Sequence, residues 1–214
     1  MRKVLNKKEI NTVLDILREE YPDAGPQLHF RNEFELLIAT ILSAQTTDKQ
    51  VNKVTDVMFK IMPDPTDYID KPLSEIEDMV RSIGFFRNKA KNIQKTCDIL
   101  VHKYESKVPN TFEELIKLPG VGRKTANVVL SNAFGEQRIA VDTHVFRVSN
   151  RIGLVNEDNV LDTEKALMKK IPNDMWSLTH HMLIFHGRRV CKAQRPLCEE
   201  CKLKETCLYR KGKD

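Results

Sequence analysis

The amino-acid sequence predicts an all-α fold. Apolar residues recur at helical spacing through most of the 214 residues, and capping residues, prolines and glycines separate these runs. Only one short run rich in β-branched residues, 139–141, is typical of a strand, and it lies between two predicted helices. We therefore expect a protein built from helices, with no sheet.

Three helices are predicted before residue 65. The first begins with a capping box of Asn6 and Glu9 and ends before Pro22. Residues 34–44 form an apolar run long enough for a buried helix, and an amphipathic run follows that stops at Pro63. The apolar faces of the first and third helices comprise Ile10, Val13, Leu14 and Leu17, and Val51, Val54, Met58 and Ile61.

The middle of the chain predicts a short helix, a longer helix and a helical hairpin. Ser74 with Glu77 predicts a capped short helix that Gly84 closes, and the next helix places Cys97 on an apolar stripe, as a buried thiol. Thr111 with Glu114 caps the first arm of the hairpin. The second arm is expected from Arg123 to Phe134, ended by Gly135, and later helices are expected over 143–151, 163–170 and 175–186.

The charge distribution is uneven. The net charge is +5, and its whole excess lies in residues 186–214, which hold nine basic and four acidic side chains. A concentrated basic patch suits a polyanion such as nucleic acid, although a solvated tail explains it equally well. No apolar run approaches the ~20 residues that span a bilayer, and the basic N-terminus lacks the apolar core of a secretory signal. We expect a protein that stays in the cytoplasm, with no membrane role.

Four of the five cysteines form a C-x6-C-x2-C-x5-C array, Cys191, Cys198, Cys201 and Cys207. In a chain without a secretion signal, such a thiolate quartet predicts one metal centre rather than disulfides. Zinc and an iron–sulfur cluster both fit the array. The spacing favours the cluster, because zinc sites usually pair two close couples and only Cys198 and Cys201 form one here.

A glycine-rich turn leads into a helix in the segment Leu118-Pro-Gly-Val-Gly-Arg-Lys-Thr-Ala-Asn-Val-Val129. Gly120 and Gly122 are expected to take positive φ and to let a phosphate approach the N–H groups of the helix. Lys124 would then lie near a sugar, where a primary amine can attack. Because an amine is mostly protonated at neutral pH, it needs burial or a cationic neighbour such as Arg123. A plain phosphate contact or a solvated charge is the alternative for Lys124.

Asp142 comes eighteen residues after Lys124, directly before the predicted helix 143–151. Aspartate is strongly preferred as a helix N-cap, and that role alone accounts for its position. A carboxylate there can also stabilise positive charge on a sugar and assist proton transfer. The two roles do not exclude each other.

The glycine turn, Val141-Asp142-Thr143-His144 and the four terminal cysteines together resemble the helix-hairpin-helix DNA glycosylases, in particular endonuclease III. The resemblance covers nearly the whole chain. It implies a bifunctional glycosylase and AP lyase that excises oxidised pyrimidines such as thymine glycol, with Lys124 and Asp142 as catalytic residues and a [4Fe–4S] cluster on the cysteines. It also implies two helical domains with DNA between them, one of residues 26–136 with the hairpin and one of residues 1–25 and 137–214 with the cluster.

The resemblance assigns further residues to damaged double-stranded DNA, from which such an enzyme must flip the target nucleotide. Gln45 would fill the vacated space and Phe85 would be the opposite wedge, where the family often has leucine; a polar turn and a core aromatic are the alternatives. His144 would line the pocket. The remaining contacts expected with DNA are Gly120, Gly122, Arg123, Thr125, Lys192 and Arg195. Because the sequence has no heptad pattern, we expect a monomer. We also expect it to associate with a bacterial or archaeal nucleoid.

Two other interpretations compete with this one, the first within the same superfamily and the second from another class of protein. Adenine and mismatch thymine glycosylases of the same superfamily lack the catalytic lysine, so Lys124 argues against them. A DNA-binding module without catalysis would use the hairpin as a phosphate clamp and the cysteines as a zinc staple. Colour separates this module from an iron–sulfur enzyme, because the cluster absorbs broadly in the visible.

Overall fold

The structure of the protein, a computed structural model, describes residues 4–212, and every regular element in that range is helical. The all-α prediction is confirmed. The α-helices are α1 Lys7–Glu20, α2 Glu33–Ser43, α3 Asp48–Ile61, α4 Thr66–Ile69, α5 Leu73–Met79, α6 Phe86–Tyr104, α7 Phe112–Leu115, α8 Arg123–Phe134, α9 Thr143–Ile152, α10 Val160–Lys170, α11 Trp176–Arg189 and α12 Leu208–Lys211, with a 3₁₀ turn at Asn173–Met175. None of the helices in the described part of the chain has the length and apolarity of a membrane span.

The chain divides into two compact units, each with its own apolar core. We call Pro26–Glu136 the hairpin unit, and Met1–Gly25 with Gln137–Asp214 the cysteine unit. Residues 1–3 and 213–214, including the Lys213 counted in the basic end, lie outside the described residues. The assignment of a DNA-binding hairpin to one predicted domain and of a cluster to the other stays a prediction.

The core of the hairpin unit surrounds α2. Residues 34–42 of this helix are buried on every side, because α2 packs against α3, α6 and α8. The predicted buried helix is therefore confirmed, and Asn32 begins it by accepting the Glu35 N–H at 2.9 Å. Glu35 is a charged residue in this core, and its carboxylate is paired with Arg31.

The core of the cysteine unit lies where α9, α11 and α1 pack. Gly187 permits the close approach of α9 and α11, since a Cβ at this position would lie 3.0 Å from His144 Cβ. Asn159 caps α10 through the Asp162 N–H at 2.9 Å, so this helix begins earlier than the predicted Thr163, which is buried within it.

The capping predictions have mixed outcomes. The capping box of Asn6 and Glu9 is present in both directions, at 3.0 and 2.8 Å. The prediction for Ser74 is wrong: α5 begins at Leu73 because the Pro72 carbonyl accepts the Glu75 N–H at 3.0 Å, and the helix ends at Met79, before Gly84. Thr111 does precede α7, but its hydroxyl donates to the Glu114 carboxylate at 3.0 Å.

Candidate DNA-binding and catalytic site

The turn between α7 and α8 is held against α6. The Thr96 hydroxyl donates to the Pro119 carbonyl at 2.9 Å, which fixes the turn before its first glycine. Gly120 has φ +79°, and a Cβ there would lie 3.1 Å from Asn92 Cβ and 3.3 Å from Ile41. Glycine is therefore required at 120 both by its left-handed backbone and by the close packing.

Gly122 serves the turn differently. Its φ is −97°, so the prediction of a positive φ is wrong for this residue, because Gly122 is the extended N-cap of α8. A Cβ would meet nothing within 4 Å, and no side chain caps this end of the helix. Gly122 thus leaves open space beside the first turn of α8, where the helix dipole favours an anion.

Two cations occupy the first turn of α8. Arg123 and Lys124 are both exposed, and the Arg123 guanidinium lies 4.9 Å from the centre of the Phe112 ring. Thr125 follows and is half-buried. Cations at this end of a helix oppose its dipole, so the arrangement is favourable only beside an anion. Lys124 is not desolvated by the protein itself.

Asp142 is the N-cap of α9. Its Oδ1 accepts the N–H groups of His144 at 2.9 Å and Val145 at 2.8 Å. The capping alternative is thereby confirmed, and the catalytic role stays a prediction. Asp142 is half-buried and belongs to the cysteine unit, whereas Lys124 belongs to the hairpin unit.

His144 lies in the first turn of α9, under Arg147. Burial lowers the pKa of His144; nearby Asp142 acts in the opposite sense and Arg147 adds to the lowering. One guanidinium nitrogen of Arg147 lies 3.1 Å from His144 Nδ1 and 2.9 Å from the Gly187 carbonyl. The imidazole is therefore favoured in its neutral form, which suits a residue that lines a pocket.

Gln45 and Phe85 each adopt the left-handed backbone conformation that glycine usually takes. Gln45 has φ +55° between α2 and α3, and Phe85 has φ +57° directly before α6. Both side chains are exposed, and Phe85 is 70% exposed, so the alternative of a core aromatic is wrong. The alternative of a capped turn at Gln45 is confirmed in part, since Thr47 accepts the Gln50 N–H at 3.4 Å.

The four cysteines line one cavity in the cysteine unit. Apolar side chains, among them Ile152 and Leu203, form much of its wall, and His186, Lys204 and Arg210 also line it. Burial raises the pKa of the Cys201 thiol to about 11 and also raises that of Cys207. Among residues 4–212, no three histidine, cysteine, aspartate or glutamate side chains are grouped so as to hold a single metal ion.

Two arginines that the sequence did not single out hold the loop after Cys191. Arg147 Nε donates to the Cys191 carbonyl at 3.1 Å, and Arg151 donates to the carbonyls of Lys192 at 2.7 Å and Ala193 at 2.9 Å. The backbone of the loop is therefore fixed, while the side chains of Lys192 and Arg195 are exposed. The signal in the sequence was their spacing of four on α9, which places both on one face.

The family model for HhH-GPD superfamily base excision DNA repair proteins matches residues 38–173, more than half of the chain. The chain belongs to this superfamily. Endonuclease III of Bacillus subtilis (strain 168) is 50% identical over 212 residues, which cover 99% of this chain and 97% of the relative. Endonuclease III of Escherichia coli (strain K12) is 42% identical over 210 residues, 98% of this chain and 100% of the relative.

Solved structures agree with these relatives. A structure of a trapped endonuclease III–DNA covalent intermediate, an estranged-adenine complex, is similar with a TM-score of 0.93 and 55% identity, covering 98% of this chain and 99% of that chain. The family and these relatives indicate an enzyme, a base excision repair DNA glycosylase with lyase activity. The residues assigned to the site stay predictions.

Proposed function

We propose that the protein excises oxidised pyrimidines of the thymine glycol type from duplex DNA and then cleaves 3′ of the abasic site by β-elimination. The observation that carries this proposal is the exposed Lys124 amine in the first turn of α8, beside the open, uncapped glycine at 122. An uncapped helix start suits the DNA phosphate, and the phosphate would bring a sugar to the amine.

Lys124 is the nucleophile in this proposal. Its neutral amine attacks C1′ of the damaged nucleotide; a C1′–N bond forms as the bond to the base breaks, and the base leaves with a proton. The C1′–O4′ bond of the sugar then breaks, with a proton from water taken up by O4′, and the nitrogen lone pair forms the protonated imine. The imine makes the C2′ hydrogen acidic, and loss of that proton breaks the C3′–O bond and expels the 3′ phosphate. Because Lys124 is exposed, its amine is accessible to bound DNA. The covalent DNA intermediate in the similar endonuclease III structure supports a nucleophilic route.

Asp142 stabilises the positive charge that grows on the sugar and accepts the proton that leaves the lysine. Its capping bonds both go to Oδ1, so Oδ2 can serve the substrate without loss of the cap. The cap also fixes the direction of the carboxylate. Asp142 is thus held in place before the substrate arrives, as a group that stabilises charge must be.

Binding of damaged duplex DNA as a monomer, inside the cell at the nucleoid, completes the proposal. Gly120, Gly122, Arg123 and Thr125 would contact phosphates at the hairpin, and Lys192 and Arg195 on the fixed loop would contact others. Gln45 and Phe85, both exposed, would enter the base stack, and His144 would line the pocket for the flipped nucleotide.

A [4Fe–4S] cluster on Cys191, Cys198, Cys201 and Cys207 is the proposed cofactor. The residues fit it: four thiols line one cavity together with apolar side chains and the basic residues Lys204 and Arg210, and Arg151 Nη1 lies 3.8 Å from Cys191 Sγ, where a cation balances thiolate charge. Since the thiols of Cys201 and Cys207 have raised pKa values, the cluster would form with release of their protons. When bound, the cluster would hold the C-terminal loops together, and we assign it no step in the reaction.

The test is incubation with a duplex that carries one thymine glycol, with separate assays of free base and of the cleaved strand. We expect both products, and a 3′ unsaturated aldehyde end on the strand. An undamaged duplex and one with 8-oxoguanine are the controls for lesion class. Base release without strand cleavage would contradict the lyase step. Tight DNA binding without either product, from a colourless protein that holds zinc, would favour the binding module instead.

A further inference from the structure

Lys89 is a buried cation that the site described above does not use. It lies on α6, one turn after Phe85, and is 7% exposed. Its ammonium group donates to the Leu42 carbonyl at 2.9 Å, to the Ala44 carbonyl at 2.5 Å and to the Thr46 hydroxyl at 3.2 Å. All three partners are neutral oxygens, so no ion pair offsets the cost of burial.

The Leu42 and Ala44 carbonyls lie at the C-terminal end of α2, and Thr46 lies in the turn that follows. The last carbonyls of a helix have no partners within the helix, and the dipole makes that end negative. Lys89 therefore caps α2 from another helix. Burial lowers the pKa of Lys89, which is consistent with a desolvated amine held by polar contacts.

Lys89 also joins the two turns that carry Gln45 and Phe85. Its ammonium bonds flank Gln45 on both sides, at Ala44 and Thr46. Its backbone N–H donates to the Phe85 carbonyl at 3.1 Å. The two left-handed residues, each in a backbone conformation that is costly without glycine, thus meet at one residue: the Lys89 side chain bonds the Gln45 turn, and the Lys89 backbone bonds the Phe85 carbonyl.

We propose that Lys89 is a positioning residue that holds the Gln45 and Phe85 turns as one rigid pair, so that both side chains enter the base stack together. The inference rests on the proposed function, because it assumes that these two residues open the duplex. Its consequence is specific: Lys89 assists opening of the duplex and leaves the chemistry at the sugar untouched.

The experiment compares two substrates for each variant. One is a thymine glycol in a fully paired duplex, and the other is the same lesion inside a short unpaired bubble flanked by duplex, where little opening is needed. Single-turnover rates of base release are measured for Lys89→Met, which keeps the length and removes the donors. Lys91→Met is the matched control, since Lys91 is an exposed lysine on the same helix.

Lys89→Met should lower the rate on the paired duplex about tenfold and the rate on the bubble less than about twofold, because only the paired duplex has to be opened with the help of rigid wedges. Lys91→Met should leave both rates unchanged. Equal losses on both substrates would overturn the inference in favour of a purely structural role, and no loss on the paired duplex would overturn it as well.

Two further results separate folding and function from the inference. If Lys89→Met does not fold, Thr46→Val is the deciding variant, because it removes one of the three acceptors and keeps the lysine. A ratio of the base-release rate on the paired duplex to that on the bubble that is lowered about twofold supports the inference, and an unchanged ratio overturns it. If the wild type releases base from neither substrate, the proposed function fails, and the inference falls with it.

Discussion

The starts of α8 and α9 are two helix N-termini of opposite design. The α8 helix has Gly122 at its N-cap position, has no side-chain cap and carries Arg123 and Lys124 in its first turn. The α9 helix has Asp142 at its N-cap position, and the Asp142 carboxylate accepts two N–H groups of the helix. Both ends need a negative group beside the positive end of the dipole. Only α9 contains one.

The difference shows how each helix end is suited to its role. Where the chain provides its own anion, at Asp142, the N–H groups are satisfied and the carboxylate is fixed in direction. Where it provides glycine and cations, at residues 122–124, the anion has to come from outside, and DNA phosphate is the natural source.

Asp142→Asn should cause the largest change in this set. Asparagine caps a helix as well as aspartate, so thermal stability should be retained, while base release should slow by about 10² or more because the charge is lost. Single-turnover kinetics and thermal unfolding measure the two effects. Asp142→Ala, the control, should in addition lose about 1 kcal/mol of stability with the cap. Unchanged kinetics in the asparagine variant would reduce Asp142 to a cap.

Gly122→Asp gives the N-terminus of α8 an aspartate N-cap, like the one that α9 has at Asp142. The backbone at 122 is extended and a Cβ has open space, so the substitution should fold and keep its stability. The new carboxylate would take the place of the phosphate, and we expect the Kd for duplex DNA to rise at least about tenfold from repulsion at short range. Gly122→Ala, which adds no charge, should change the Kd much less. Equal Kd values for the two variants would contradict an anion site at α8.

Lys192→Ala with Arg195→Ala tests the second proposed phosphate contact, on the loop that Arg151 holds. Each phosphate contact contributes ~0.9 to the slope of log K against log salt, so the double variant should flatten the slope by up to about 2. Binding titrations at several salt concentrations measure it, with Lys165→Ala, an exposed lysine on α10, as the control. A slope equal to that of the wild type would exclude this loop from the interface.

His144→Gln should have the smallest effect, on stability against pH. Since burial lowers the pKa of His144 in the folded protein, the unfolded chain binds this proton first as the pH falls below about 6.5. The histidine therefore costs stability progressively below that pH and nothing above it. Thermal unfolding at pH 7.5 and pH 5.5 should show a smaller acid loss in the variant. An equal loss in both proteins would mean that His144 does not titrate in this range.

Local signals in the sequence predicted what depends on neighbours along the chain. The cap at Asn6, the bounds of α8 and its end at Gly135 follow from residues within one turn, and all three agree with the structure. The conformation of Gly122 could not be told from that of Gly120, because the difference lies in packing against Asn92 and Ile41.

Long-range contacts explain what was missed. Lys89 sits four residues before Ile93, on the apolar stripe of α6, so the sequence held a clue in a charge at a buried position. Its partners, residues 42–46, are more than forty residues away, and only the folded chain brings them together. Arg151 likewise reaches the loop after Cys191 across forty residues.

The most direct test of the account is borohydride trapping on a duplex with one thymine glycol, read as a covalent protein–DNA band under denaturing conditions. Wild type and Lys117→Gln, which changes an exposed lysine before the glycine turn, should both give the band, because reduction of the imine makes the bond permanent. Lys124→Gln should give none, while it still binds DNA through the intact turn. A band from Lys124→Gln at the wild-type yield would contradict the assignment of Lys124 as the nucleophile.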